Sequence, residues 1–137
     1  MDFIKHFENH LLLLNIKKTP ERMIVANLID KMPDIFLLED LFKKSSSLKQ
    51  KVSRGTIFNV LKLMKKASLL VNTKEKGVAK YYKKEPTENL VFIQCCDKMI
   101  KIKSNSSMAA EIEKLCICNG LSNHGWIVNI QAVELDA

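Results

Sequence analysis

Residues 52–70, V-S-R-G-T-I-F-N-V-L-K-L-M-K-K-A-S-L-L, constrain the fold more than any other stretch of this chain. Ser53 is placed to accept the free backbone N–H groups of a first helical turn, as an N-cap does. Ile57, Val60, Leu61 and Met64 then recur at helical spacing and make an apolar stripe. Arg54, Phe58, Lys62 and Lys65 recur at steps of three or four on another face. A helix that is buried along one side and basic along the other suits insertion into a DNA major groove. After Ala67 and Ser68 the period changes, and residues 69–73 and 79–83 read as two strands. The turn between them is expected to hold Lys74, Glu75, Lys76 and Gly77.

Charge is concentrated in the same region. Lys and Arg number 22 and Asp and Glu 15, a formal +7 for 137 residues. Residues 43–84 carry thirteen of the basic residues against one acid, Glu75, a net +12, so both flanks are acidic. Such a segment is an electrostatic footprint for a polyanion, or else a lysine-rich solvated surface. A helix and a hairpin carrying the excess favour the footprint.

Helical patterns precede this region. Residues 2–14 form an amphipathic helix with Phe3, Phe7, Leu11 and Leu14 on one side. Thr19 caps a second helix with Pro20 at its first position, where a missing N–H costs nothing. Its buried face is expected from Met23, Ile24, Leu28 and Met32, and Pro33 ends it. A third helix over residues 37–44 uses Leu38, Leu41 and Phe42. Helices followed by a basic hairpin are the order of a winged helix-turn-helix. The hairpin could equally be a structural closure of the core, but the lysines at its tip favour a wing.

Beyond a polar hinge at 85–89 lie strand runs at 90–94 and 99–103, with a turn near Asp97 and Lys98. A helix over residues 105–118 is broken by Gly120, and a last strand runs from 126 to 135. The expected architecture is therefore α+β: a winged helix-turn-helix domain over 1–84, then a small α/β dimerisation domain over 90–137. That second unit is too small to bury its own faces, so its sheet is expected to be completed by a second copy. Paired reading helices would also match two half-sites on double-stranded DNA.

The chain resembles the ferric uptake regulator family. Lys18-Thr19-Pro20-Glu21-Arg22 is similar to the family's Lys-x-Thr-x-Gln-Arg, and Leu38-Glu39-Asp40-Leu41-Phe42 to its Ala-Glu-Glu-Leu-Tyr. Ser53-Arg54-Gly55-Thr56-Ile57-Phe58-Asn59-Val60-Leu61 resembles Ser-x-Ala-Thr-Val-Tyr-Arg-Thr-Leu, the recognition helix. Lys66-Ala67-Ser68-Leu69-Leu70 follows as Glu-x-Gly-Leu-Val, and residues 77–82 as the wing strand Gly-x-x-x-Arg-Tyr. The resemblance implies a homodimeric, cytoplasmic, DNA-binding transcription regulator or repressor of metal homeostasis. It would have no catalytic activity, small-molecule substrate or membrane span. Lys62, Lys65, Lys66, Lys76 and Lys80, with Lys18, would meet phosphates. Arg54, Thr56, Phe58 and Asn59 would meet base edges or backbone.

Departures from the pattern are specific. The Tyr-Arg pair of the recognition helix is Phe58-Asn59, so a hydroxyl and a charge are lost. Phe58 can still pack on a thymine methyl, and Asn59 can still bond adenine. The family's His-His-x-His-Leu-x-Cys-x-x-Cys-Gly segment falls on residues 87–97, which hold no histidine and have Ile93 in place of the first cysteine. The Gly-Phe-x-Ile-x-x-His strand falls on residues 125–131 and ends in Gln131, and the histidine before the third helix is replaced near Ile35. The standard metal-sensing site is thus expected to be missing.

Zinc or iron, the ions the resemblance would imply, would need other donors. Cys95 and Cys96 are adjacent, and Cys116 and Cys118 are two apart. Neither pair has the C-x-x-C spacing of a zinc knuckle. A long-range site joining Cys96, Cys116 or Cys118 and His124 stays open, against plain thiols in a reducing compartment. Only Lys98 and Lys114 lie beside the cysteines to favour a thiolate, which counts against a redox switch. His6 and His10 are one helical turn apart, as a ligand pair or as surface residues. The competing functional reading is a degenerate family member that acts as a protein-interaction module. An enzyme is disfavoured by three scattered histidines and four glycines, with no nucleophile–base grouping.

Overall fold

The computed structural model describes residues 2–86, 90–95, 98–102, 106–121 and 127–132. Contacts divide the chain into two units, Met1–Pro86 and Thr87–Ala137.

In the first unit, helices α1 (Phe3–Leu13), α2 (Pro20–Lys31), α3 (Leu38–Ser46) and α4 (Arg54–Lys66) pack with strands β1 (Ile35–Leu37), β2 (Leu70–Glu75) and β3 (Val78–Lys83). Local chemistry sets most helix boundaries. Asp2, Thr19 and Ser53 cap α1, α2 and α4, each accepting from the backbone N–H three residues on. Helices α1 and α4 end in Schellman motifs with Asn15 and Ser68 in the left-handed region, at φ 56° and 59°. For α4, Leu69 N–H donates to Met64 O and Ser68 N–H to Lys65 O. That sharp exit turns the chain directly into β2 and buries Leu69.

The core joins Phe3, Phe7 and Leu11 of α1 to Val25, Ala26 and Ile29 of α2, Leu41 of α3, and Ile57, Val60, Leu61, Leu63 and Met64 of α4. Three sequence expectations are corrected. On α2 the buried stripe is Val25, Ala26, Ile29 and Met32, with Met23 and Leu28 only partly covered. Two adjacent apolar stripes were available on that helix, and the packing of α1, α3 and α4 around it selects between them. Leu14 is an exposed C-cap rather than a core residue. Leu37, expected to open α3, belongs instead to β1: Ile35, Phe36 and Leu37 pair antiparallel with Tyr82, Tyr81 and Lys80 of β3. This sheet has the order β1-β3-β2. Because β1 runs straight into α3, that helix has no side-chain N-cap.

The hairpin turn is also tighter than expected. Lys74 pairs with Ala79 and Glu75 with Val78, so only Lys76 and Gly77 form the loop. Both have positive φ, 50° and 80°, as a type I′ turn requires. An Asn-Gly pair is the favoured chemistry there, and a lysine at the first position is strained by about 1 kcal/mol. Lys76→Asn should therefore raise the stability of the first unit by several tenths to about 1 kcal/mol, read as a higher denaturant midpoint. Gly77→Ala, with open space around its missing Cβ, should lower it through φ alone.

The second unit contains β4 (Leu90–Cys95), β5 (Lys98–Lys101), α5 (Ser107–Cys118) and β6 (Ile127–Ala132). Its sheet has the order β5-β4-β6, antiparallel between β4 and β5 and parallel between β4 and β6. Ser106 caps α5 through Ala109 N–H, and Gly120, at φ 88°, ends it. The outer parts of the expected runs, residue 103, residue 126 and residues 133–135, lie outside the described residues. No helix among the described residues is long and apolar enough to cross a membrane.

Candidate nucleic-acid interface

Helix α4 buries Ile57, Val60, Leu61, Leu63 and Met64, which turns Arg54, Phe58, Asn59, Lys62, Lys65 and Lys66 outward. At its N-terminal end the outward side chains are organised. The Arg54 guanidinium carbon sits 4.7 Å from the centroid of the Phe42 ring, a cation–π distance. Phe42 meets Phe58 edge to face, with centroids 5.6 Å apart and planes at 74°. Phe58 nonetheless stays 49% exposed, so it is an aromatic surface held in place by α3 rather than core filler.

Further along, Lys62, Lys65 and Lys66 rim a shallow groove of about 500 Å³ floored by Phe58, Leu61 and Tyr81. Burial of the Tyr81 phenol, stacked on Phe36, raises its pKa above the ordinary tyrosine value. It stays neutral and leaves the charge of the groove to the lysines.

On the hairpin, Lys76 is exposed at the tip and Lys80 is half-exposed on β3, its ammonium 5.7 Å from the Tyr82 ring. Thr56 is half-buried in the α4 cap, its Oγ1 3.0 Å from Ser53 Oγ. Asn59 is exposed and accepts at Oδ1 from Arg22 Nε–H at 3.4 Å. Lys18 stands apart from the α4 set, donating to Glu8 Oε2 of α1 at 2.9 Å. The pair is partly exposed, so it contributes little to stability.

The basic segment is smaller than its sequence count. Lys83 turns inward: its ammonium donates to Asp30 O and Met32 O at the end of α2 and lies 5.3 Å from the Phe3 ring. It closes that helix as a cation suited to the negative end of the dipole. Lys84 is buried, donating to Glu85 O and Pro86 O. Neither belongs to an outward footprint. Arg22, by contrast, reaches the α4 face from α2. Its position in the Lys-Thr-Pro-Glu-Arg opening was the signal available in sequence.

Metal donors do not converge among the described residues, where no group of three or more His, Cys, Asp or Glu could hold an ion. Cys116 is half-buried and Cys118 exposed on α5, and as i, i+2 neighbours they point apart. Cys96 and His124 lie outside the described residues. His6 is exposed, whereas His10 has a buried Nε2 without a hydrogen-bond partner, so the two rings do not share an open face. Among the described residues, then, these donors form no metal centre of the kind the resemblance implies.

Four helices with a β-hairpin, followed by a small α/β unit, are the architecture of a winged-helix domain joined to a second, smaller domain. The model of the ferric uptake regulator family matches residues 14–125, and the chain belongs to that family. Its members are transcriptional regulators rather than enzymes. The fold is similar to that of the Pseudomonas aeruginosa ferric uptake regulator with manganese (TM-score 0.66, 16% identity, 93% of this chain and 98% of that one). It is also similar to the Helicobacter pylori regulator, described with three functional metal binding sites (TM-score 0.63, 12% identity, 95% and 89% covered). A third likeness is to the Vibrio cholerae regulator (TM-score 0.60, 14% identity, 89% and 95% covered). No sequence among curated proteins matches the chain.

Proposed function

We propose that this chain is a homodimeric, cytoplasmic, sequence-selective DNA-binding regulator that works without the family's usual metal-sensing site. The observation that carries the reading is the outward face of α4, where a fixed Arg54–Phe42–Phe58 cluster adjoins three exposed lysines. In the major groove, Phe58 would cover a thymine methyl, while Arg54, Thr56 and Asn59 would meet base edges or backbone. Lys62, Lys65, Lys66, Lys76 and Lys80 would neutralise phosphates. Lys18 would join them by releasing Glu8. Lys76 supports the wing assignment, since it accepts a strained turn conformation that asparagine would relieve.

Dimerisation through residues 90–137, beyond a hinge at 85–89, is supported by exposed apolar side chains in the second unit. Ile100, Met108, Leu115, Ile117, Leu121 and Ile130 all face outward. Apolar side chains left exposed on α5 and on the sheet strands suit a unit whose surface a partner covers. The metal-free reading is supported by the ligand positions lost in sequence and by the scattered donors. A protein-interaction module is the second reading, favoured by Leu12 and Leu13 of α1, which are 80% and 84% exposed.

Selection from random duplex DNA with the purified full-length chain, with metal content measured on the same sample, tests both. The expected result is an enriched sequence of two related half-sites whose binding survives a chelator. Enrichment that vanishes with the chelator contradicts the metal-free reading. Capture of protein with no enriched DNA sequence favours the interaction module.

A further inference from the structure

On the flank of α4 away from Phe42, a guanidinium arrives from α2. Arg22 is half-buried; its Nε–H donates to Asn59 Oδ1 at 3.4 Å, and its Nη1 donates to the Lys17 carbonyl at 2.6 Å. The second contact is short and charge-assisted, so it holds the planar group in place. The root of the side chain is fixed as well, because Arg22 N–H donates to Thr19 Oγ1 in the α2 cap. Arg22 and Asn59 share an open cleft of about 480 Å³ with Thr19, Ser53 and Thr56, between the first turns of α2 and α4.

An arginine side chain offers donors only, so the amide atom that faces it is the carbonyl oxygen. The nitrogen of Asn59 must then point away from α2. We infer that Arg22 is a positioning residue that sets the base preference of Asn59, an inference that rests on α4 being the major-groove helix. An asparagine that clasps adenine needs both amide atoms at one base edge, Oδ1 accepting from N6 and Nδ2 donating to N7. With Oδ1 turned to Arg22, the atom that Asn59 directs away from α2 is its Nδ2 donor. The matching edge is guanine, whose N7 and O6 are adjacent acceptors. Cytosine sets only an amino donor against that nitrogen, adenine offers N7 with its N6 amino donor beside it, and thymine offers O4 alone, so guanine gives the one edge with two adjacent acceptors. The cation beside the amide also polarises it, which strengthens the remaining donor.

The test is the same selection from random duplex DNA, run on the full-length wild type and on Asn59→Ala, Arg22→Ala and Arg22→Lys. Wild type should select guanine at one position per half-site, and Asn59→Ala should erase the preference there and nowhere else. Arg22→Ala frees Oδ1 and should move that position toward adenine, with a roughly tenfold change in the guanine-to-adenine ratio. Arg22→Lys keeps a charge near the Lys17 carbonyl but has no second arm, so it should shift the preference in the same direction. It carries the test if the alanine variant fails to fold. Arg22 variants that weaken binding to every sequence alike, with guanine retained, overturn the inference, since a purely structural role has that signature. Adenine at the Asn59-dependent position of wild type also overturns it, with the groove reading intact. A wild type that enriches no sequence removes the groove reading and this inference together.

Discussion

Replacing Lys62, Lys65 and Lys66 together by alanine should lower affinity for duplex DNA by about 100-fold at physiological salt. It should also reduce the slope of log affinity against log salt by nearly three. Each lysine that neutralises a phosphate releases about 0.9 of a counterion, so three lost contacts remove about 2.7 powers of salt dependence. All three side chains are exposed on one face of α4, beside the Phe58–Leu61–Tyr81 floor. Alanine is the strongest helix former, so the helix itself should survive the change. Titrations of one duplex across a range of salt concentrations check this. An unchanged slope would mean that these lysines meet no phosphates.

Phe7→Ala should destabilise the first unit by about 3–5 kcal/mol, the range for emptying a fully buried aromatic site. The buried residues of helix α1 are Phe3, Phe7 and Leu11, with Ile4 partly covered beside them, and Phe7 is completely covered. Its removal takes the central anchor of the three, against a total stability of about 5–15 kcal/mol for a typical domain. Leu13→Ala, on the same helix but facing solvent, should stay within about 0.5 kcal/mol of wild type. Both tyrosines, Tyr81 and Tyr82, belong to the first unit and the single tryptophan, Trp126, to the second. Tyrosine emission during denaturant unfolding therefore reads the first unit. Equal midpoints for Phe7→Ala and wild type would contradict the assigned core.

What the sequence made legible is what short-range chemistry decides. The caps at Thr19 and Ser53 and the Ile57–Val60–Leu61–Met64 stripe need only neighbours three or four residues away, and they stand as read. β1 was not legible, because three residues give too little alternation and its strand character comes from pairing with β3, more than forty residues later. Lys83 looked like one more surface cation until tertiary packing brought the end of α2 to it. The partners of the outward face were hidden for the same reason. Phe42 supports Phe58 and Arg22 turns Asn59 only because α3 and α2 pack beside α4. Residue types along α4 announced a basic face; which atoms that face presents was settled by the helices around it.

Amide chemical-shift mapping of the full-length chain during titration with its selected duplex tests the central claim most directly. Perturbations concentrated on Arg54–Lys66, with a second set around Lys76 and Lys80, are the predicted result. Shifts confined to other surfaces, or none at saturating duplex, would contradict it.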